Sequence, residues 1–495
     1  MYLLGLDIGS SSIKATILNA ESGIPLSSGF FPKEEMTISA SQPGFAEQDP
    51  EMWWKYTKLA VNETIKTADI SPRDIKAIGI SYQMHGLVMV NKNQEVIRPS
   101  IIWCDSRAAG IGENAFAGIG KEKCLTHLLN SPGNFTASKL KWIKENQPDI
   151  YKKIYKIMLP GDYIAMKLTK EIKTTASGLS EGMLWDFKNS ETAGFVLDYF
   201  GFNPSLIPEL VPTFSEQGCV SKRASSEVNL PEGIPVTYRA GDQPNNAFSL
   251  NVLNPGEIAA VAGTSGVVYG VSDKVKYDPE SRINTFAHVN HLETDTSLGV
   301  LLCLNGTGIL NSWSKSNITG ELSYDQMNNA ASAINIGSDG LVILPFGNGA
   351  ERMLHNLNKG AQVRNLDFNI HSKKHFLRAA HEGIAFALRY GIDIMKNVGI
   401  QPEVIRAGYG NMFLSPVFRD TLSNITGAGI ELYNTDGSQG AARAAGVGAG
   451  IYKSYDEAFK GLAMVKATEP DPGLTEEYTA AYESWLKELK NYIKK

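Results

Sequence analysis

Three short polar segments hold residues whose types and spacing could do chemistry. Asp242 stands in YRAGDQPNNAF (238–248) as a lone carboxylate between a glycine and Gln243, Pro244 and two asparagines. Such an acid either closes a turn by bonding nearby amides or serves as a base. In DIGSSSIK (7–14), Asp7 ends an apolar run, Gly9 permits tight turning, and Ser10, Ser11 and Ser12 supply hydroxyl and amide donors. Lys14 can reach a phosphate, and a hairpin turn with a solvated lysine is the competing reading. AGTSG (262–266) offers a similar donor set through Thr264, Ser265 and Gly266, without an acid. An asymmetric pair of this kind suits one metal-bound polyphosphate held between two domains, because glycine-rich turns expose amides to an anion. The two familiar nucleotide signatures are absent: no GxxxxGK[ST] occurs, and AGYGNMF (407–413) lacks the third glycine of the dinucleotide fingerprint.

These segments need elements to position them. YLLGL (2–6), IKATIL (13–18) and PLSSGFF (25–31) read as an antiparallel meander whose first turn is the Asp7 segment. A helix is expected from Pro50, capped by Asp49. IKAIGIS (75–81), LVMV (87–90) and IRPSIIW (97–103) read as strands, and IPVTYRA (234–240) as another that ends at Asp242. The stretch from about 110 to 230 reads as insertions on the first domain. NPGEIAAVAGTSGVVYGVS (254–272) repeats the opening plan of strand, Gly/Ser/Thr turn and strand. KKHFLRAAHEGIAFALRYGIDIMKNVGI (373–400) is strongly helical, with His375 and His381 read as ordinary helix residues. VIRAGYGN (404–411) leads from a strand into a glycine turn, and GSQGAARAAGVGAGIY (437–452) is a small-residue helix for close backbone packing. In the amphipathic C-terminal segment Tyr478, Tyr482, Trp485 and Leu489 form a packed face. Trp53 is expected to pack; Trp54 and Trp103 are open between packing and stacking on a ligand.

The chain's 495 residues exceed what one core usually serves, so two domains are expected. With 43% hydrophobic and 20% charged residues and a net charge of -5, there is no electrostatic footprint for nucleic acid or an anionic membrane. Four dispersed cysteines argue against a disulfide framework and a CxxC zinc site. Without an n-region or a long apolar stretch, a cytoplasmic location is expected.

The ordered set LGLDIGSSSIKATILN, FAEQDPEMWW, AIGISYQMHGLV, IRPSIIWCDSRA, LPGDYIAMKLT, AGDQPNNA, AGTSGVVYGVS and GAARAAGVGAG covers most of the chain. It resembles the FGGY family of carbohydrate kinases within the actin-like ATPase superfamily, most of all its xylulose-phosphorylating branch. The resemblance implies an α/β fold of two actin-like (ribonuclease H-like) domains with an active-site cleft between them. The domains are expected at 1–246 and 247–450, with a helical extension, 451–495, packed on the body. It further implies ATP and Mg2+, with Asp7 holding the metal and Ser10, Ser11, Ser12, Lys14 and Thr264 contacting phosphates. Asp242 takes the position of the catalytic base. Met84 and His85 of QMHG, with Gln243, touch the sugar, and Gly408, Gly410 and Asn411 fall where the adenosine part binds. The Asp242–Gln243 pair is the form seen in members acting on glycerol, and Tyr409 interrupts the family's Gly-Gly-Gly. The implied reaction is phosphorylation of D-xylulose to D-xylulose 5-phosphate. Another FGGY activity, on ribulose, glycerol or a related polyol, and a non-catalytic ATP-binding sensor are the alternatives. The expected partners are a sugar and ATP, with no nucleic acid and no membrane; a homodimer is allowed and not required.

Overall fold

In the computed structural model, β1 (Tyr2–Ile8), β2 (Ile13–Asn19) and β3 (Pro25–Phe31) form the expected antiparallel meander. The structure describes residues 1–494; labels here number selected elements along the chain. β4 (Ile75–Tyr82) lies parallel to β1, and β5 (Val236–Gly241) parallel to β4, giving the order β5-β4-β1-β2-β3. The register sets Ile8 beside Tyr82 and Tyr82 beside Gly241, so three strands stop at one edge. IRPSIIW is shorter as a strand than its composition suggests, regular only at Ser100–Ile101, because Pro99 just before offers no amide to a ladder.

Helix α1 (Pro50–Ala68) starts where expected, with the Asp49 side chain accepting from the Glu51 amide and proline in the first position. Trp53 and Trp54 are both buried, and their indole N–H groups donate to Gln48 and Glu227. The central stretch is mainly helical and includes α2 (Thr136–Asn146), α3 (Pro160–Thr169) and α4 (Ala176–Glu181). The Asp242 segment is a correction to the turn reading. β5 passes directly into α5 (Asp242–Ser249), so Asp242 is the first helical residue. Pro244 is tolerated in that first turn because amides there have no intrahelical partner.

By internal contacts the chain divides into a unit of Met1–Asn251, Phe286–Leu298 and Thr435–Leu462, and a unit of Val252–Thr285, Gly299–Asn434 and Ala463–Lys495. In the second, β6 (Glu257–Ala262) and β7 (Gly266–Ser272) make an antiparallel hairpin around Gly263–Ser265. β8 (Leu298–Leu304) belongs to the same sheet, while β9 (Val404–Gly408) and β10 (Gly429–Tyr433) continue from β6 in parallel and β11 (Met464–Thr468) closes that side antiparallel. α6 (Gly308–Ser314) follows β8, and α7 (Lys373–Lys396) crosses the unit's core. α9 (Thr475–Lys494) buries Tyr478, Tyr482, Trp485 and Leu489 in that core, as its pattern predicts, and Trp485 donates to the Ile343 carbonyl.

The small-residue helix α8 (Gly437–Gly448) returns to the first unit and lies against β1 and β4. Only glycine permits this approach. A Cβ on Gly5 would lie 1.9 Å from the Ser438 carbonyl oxygen, and one on Gly79 would lie 2.0 Å from that of Ala441. Replacing Gly79 with alanine therefore forces two backbones apart. It is expected to cost about 1–3 kcal/mol, read as a lower denaturant midpoint; an unchanged midpoint would contradict this packing.

Candidate active site

The first unit gathers its acids at the strand edge. Asp7, next to last in β1, pairs in register with Lys14 on β2 and Ser81 on β4. The Gly9 amide donates to the Ser12 carbonyl at 3.1 Å and closes the turn. Ser11 and Lys14 are exposed and Ser10 and Ser12 half-buried. Trp103, 52% exposed, directs its indole N–H to the Ser10 hydroxyl at 3.3 Å. The start of α8 comes up to Asp7 so closely that a Cβ on Gly437 would lie 2.6 Å from its Oδ2. Burial raises the Asp7 carboxyl's proton affinity, Lys14 opposes this, and Asp436 adds to it.

Asp242 is half-buried at the head of α5. Its pKa is pushed up to about 7, first by burial and then by the like charge of Asp7, against hydrogen bonds from the Gln243 amide and side chain. Met84 packs against the residue before it, since a Cβ on Gly241 would meet Met84 Cγ at 2.6 Å. His85 sits beside Met84 with φ +60°. The structure thus brings Met84, His85, Asp242 and Gln243 into one neighbourhood of the first unit, with Asp7 close enough to act on Asp242 electrostatically.

Two buried charged groups beneath this neighbourhood escaped the sequence reading. Glu181, at the end of α4, accepts from the His85 amide at 3.0 Å. Burial holds its carboxyl well above the usual carboxylate range, with Asp242 and Asp162 adding to the effect. Lys139 of α2 donates to the His85 carbonyl at 2.8 Å and to that of Ile102 at 3.0 Å. Burial lowers Lys139 to about 8. Asp436 was also missed, although NTDGSQG carries the signal of an N-cap: its side chain accepts from the Gln439 amide at the start of α8.

The second unit has a cavity of about 520 Å³, within the range of small-molecule pockets. Gly263, Thr264, Gly308, Asn311, Asn411 and Ser415 are among its walls. The hairpin turn and α6 are stitched together there, because the Gly308 amide donates to the Gly263 carbonyl and the Ile309 amide to that of Thr264. Of the expected adenosine residues, Asn411 lines the cavity, whereas Gly408 ends β9 and Gly410 precedes Asn411 without lining it. His381 corrects the reading of an ordinary helix residue: fully buried, it meets Asn311 Oδ1 at 3.2 Å and Ser415 Oγ at 3.1 Å, both on cavity-lining residues. Burial pushes its pKa down to about 4, so the ring is neutral at neutral pH. His375, by contrast, caps its helix through Ser372 and meets Asp339.

Metal fit can be judged from the acids. The like charge of Asp436 raises the proton affinity of Asp7, and that of Asp7 raises the proton affinity of Asp242. That arrangement favours a cation, and magnesium needs only one or two carboxylates besides water. No helix among the described residues is long and apolar enough to cross a membrane.

Comparison with known proteins bears on the whole chain. Residues 2–249 match the N-terminal domain of the FGGY family of carbohydrate kinases, and residues 258–449 match its C-terminal domain. The chain is 28% identical to a xylulose kinase of Escherichia coli over 95% of each chain. It is 29% identical to one of Staphylococcus epidermidis over 99% of this chain and 97% of the relative. The crystal structure of xylulose kinase from Rhodospirillum rubrum superposes with a TM-score of 0.89 at 24% identity, covering all of both chains, which supports the two-domain α/β fold. With both domain models matched in order across most of its length, the chain belongs to the FGGY family of carbohydrate kinases.

Proposed function

We propose that the chain transfers the γ-phosphoryl group of ATP to D-xylulose, giving D-xylulose 5-phosphate and ADP, with Asp242 as general base. The observation that carries this reading is the half-open Asp242, poised near neutrality beside Met84 and His85. A base whose pKa lies near the working pH can take a proton without being lost to protonation. The choice of xylulose rests on relatives named for that sugar and on the QMHG segment.

The sugar hydroxyl passes its proton to an Asp242 carboxylate oxygen as its own oxygen bonds to the γ-phosphorus. The bond from that phosphorus to the β–γ bridging oxygen breaks in line, and ADP carries the electron pair away. Ser10, Ser11, Ser12 and Lys14 in the first unit and Thr264 in the second supply phosphate donors. In the second unit, Asn311 and Asn411 offer amides to the adenosine part from the cavity wall. Magnesium held by Asp7, with Asp436 nearby, would place positive charge on the phosphate oxygens and offset the repulsion that adds to burial in raising Asp242. Gln243 supports the base by hydrogen bonding to Asp242, and this Asp–Gln pair favours a second reading in which the acceptor is glycerol or a related polyol.

ADP release over D-xylulose, L-xylulose, D-ribulose, L-ribulose, glycerol and gluconate separates these readings. The highest kcat/KM is expected for D-xylulose; a better acceptor in the panel would replace it. Asp242→Asn is expected to lower kcat by roughly a hundred- to ten-thousandfold with sugar KM little changed, and undiminished turnover would remove Asp242 from the mechanism.

The raised Asp242 pKa also has a sign in stability. The unfolded chain releases this proton near about pH 4, whereas the folded, metal-free chain holds it to about 7. The native state therefore binds more protons in between, and the Asp242 contribution to stability falls as pH rises through that window. Thermal melts of the metal-free protein should show Asp242→Asn more stable relative to wild type at about pH 8 than at about pH 4. A difference that stays constant or narrows with rising pH would show that the carboxyl is not held protonated by the fold.

A further inference from the structure

The backbone and ring of His85 are held from three directions by buried groups. Its amide donates to Glu181 Oε2 at 3.0 Å, and its carbonyl accepts from Lys139 Nζ at 2.8 Å. Its ring Nδ1 lies 3.0 Å from the Glu181 carbonyl oxygen and 3.5 Å from Glu181 Oε2. A carbonyl oxygen only accepts, so Nδ1 carries the hydrogen and, in the neutral ring, Nε2 carries the lone pair. The Phe135 and Phe286 rings, with centroids 4.7 and 5.5 Å away, fix the imidazole plane. The backbone at His85 is left-handed, φ +60°, an uncommon conformation for a side-chain-bearing residue.

Glu181 is shared between His85 and the side chain of Tyr82, with which its carboxyl also hydrogen-bonds. Its side chain is buried, Oε2 accepts from the His85 amide, and Oε1 is directed toward the end of β5. That oxygen lies 3.4 Å from where a Cβ on Gly241 would be, beside the residue that introduces Asp242. One residue thus grips both main chain and ring of His85 and touches the strand end that delivers the base.

We propose that Glu181 is a positioning residue for sugar recognition: gripping the His85 amide and ring Nδ1, it sets the tautomer and direction in which Nε2 accepts a hydrogen bond from a sugar hydroxyl. The inference rests on the reading of Met84 and His85 as sugar contacts. It assigns Glu181 no contact with the sugar and no share in proton transfer. Lys139 completes the clamp from the carbonyl side.

Steady-state kinetics with D-xylulose and ATP varied separately test it. Glu181→Ala keeps the main-chain carbonyl that meets Nδ1 but removes the carboxylate that accepts from the His85 amide, and is expected to raise sugar KM about tenfold, with ATP KM within about twofold. Glu181→Asp, shorter by one methylene, should move sugar KM the same way and provides the test if the alanine variant does not fold. Glu181→Gln keeps an amide oxygen at the same reach and should stay within about threefold of wild type. Unchanged sugar KM in the alanine or aspartate variant, an equal rise in ATP KM, or a glutamine variant as impaired as alanine would overturn the proposal. His85→Ala separates the two levels. If it raises sugar KM while Glu181→Ala does not, the clamp alone fails; if His85→Ala leaves sugar KM unmoved, the sugar-pocket reading fails and takes the clamp with it.

Discussion

The common ending of three parallel strands is the constraint on which the first unit's chemistry depends. Registration of β1, β4 and β5 places Ile8, Tyr82 and Gly241 at one edge, so Asp7, the Met84–His85 segment and Asp242 leave the sheet close together. Ligands in open α/β sheets gather at the carboxyl ends of strands for this reason. The same closeness brings two carboxylates near enough that Asp7 raises the proton affinity of Asp242. A fold selected only for stability would separate them or pair each with a cation. Here the repulsion is retained, and it adds to the burial that gives Asp242 a basicity an isolated aspartate in water lacks.

Rigidity at that edge comes from backbone rather than large side chains. α8 lies so close to β1 and β4 that Gly5 and Gly79 leave no room for a methyl group, and Gly437 brings the helix start to the Asp7 carboxylate. The Asn245 side chain of α5 donates to the Gly437 carbonyl at 2.8 Å, and Ser249 hydrogen-bonds to Thr435 and to the Asp436 carbonyl. The helix headed by Asp242 and the helix that abuts Asp7 are thereby joined. Displacement of either acid would have to move both helices, which is how a geometry costly in electrostatic terms is maintained.

The sequence discloses these features unequally. Asp49 followed by Pro50 announces α1 because both cues are local: one side chain caps and the other fixes φ. The α8 glycines and alanines likewise announce close packing, and the ordered motifs disclose the family. Asp242 reads as a turn because Gln-Pro-Asn-Asn is turn-like in composition, and only the strand before it and the tertiary burial of Phe248 show a helix beginning. Glu181 and Lys139 give no local sign at all. Their types predict exposure, and they are inside because each finds its partners on elements far away in sequence, at His85 and Ile102. The second unit's cavity is similarly hidden: Asn311, Asn411 and Ser415 are ordinary polar residues until α6 and the turn after β9 bring them to one wall.

Perturbed acidity by itself would not have distinguished the site. Asp162 on α3 is also raised by burial, yet it is almost inaccessible, lies 3.1 Å from Arg239 of β5 and accepts from the Leu159 amide. Every cue there points to an internal pair that fixes α3 against the sheet, and such a pair adds little net stability because desolvation offsets its attraction. Asp242, three residues beyond Arg239 on the same run of chain, is half-open, has an acid rather than a cation as its main electrostatic neighbour, and follows a glycine packed against Met84. The difference lies in what each carboxyl can reach. A raised proton affinity becomes chemical capacity only where the group faces a space that a substrate can enter, and in this unit the end of β5, not its middle, supplies that exposure.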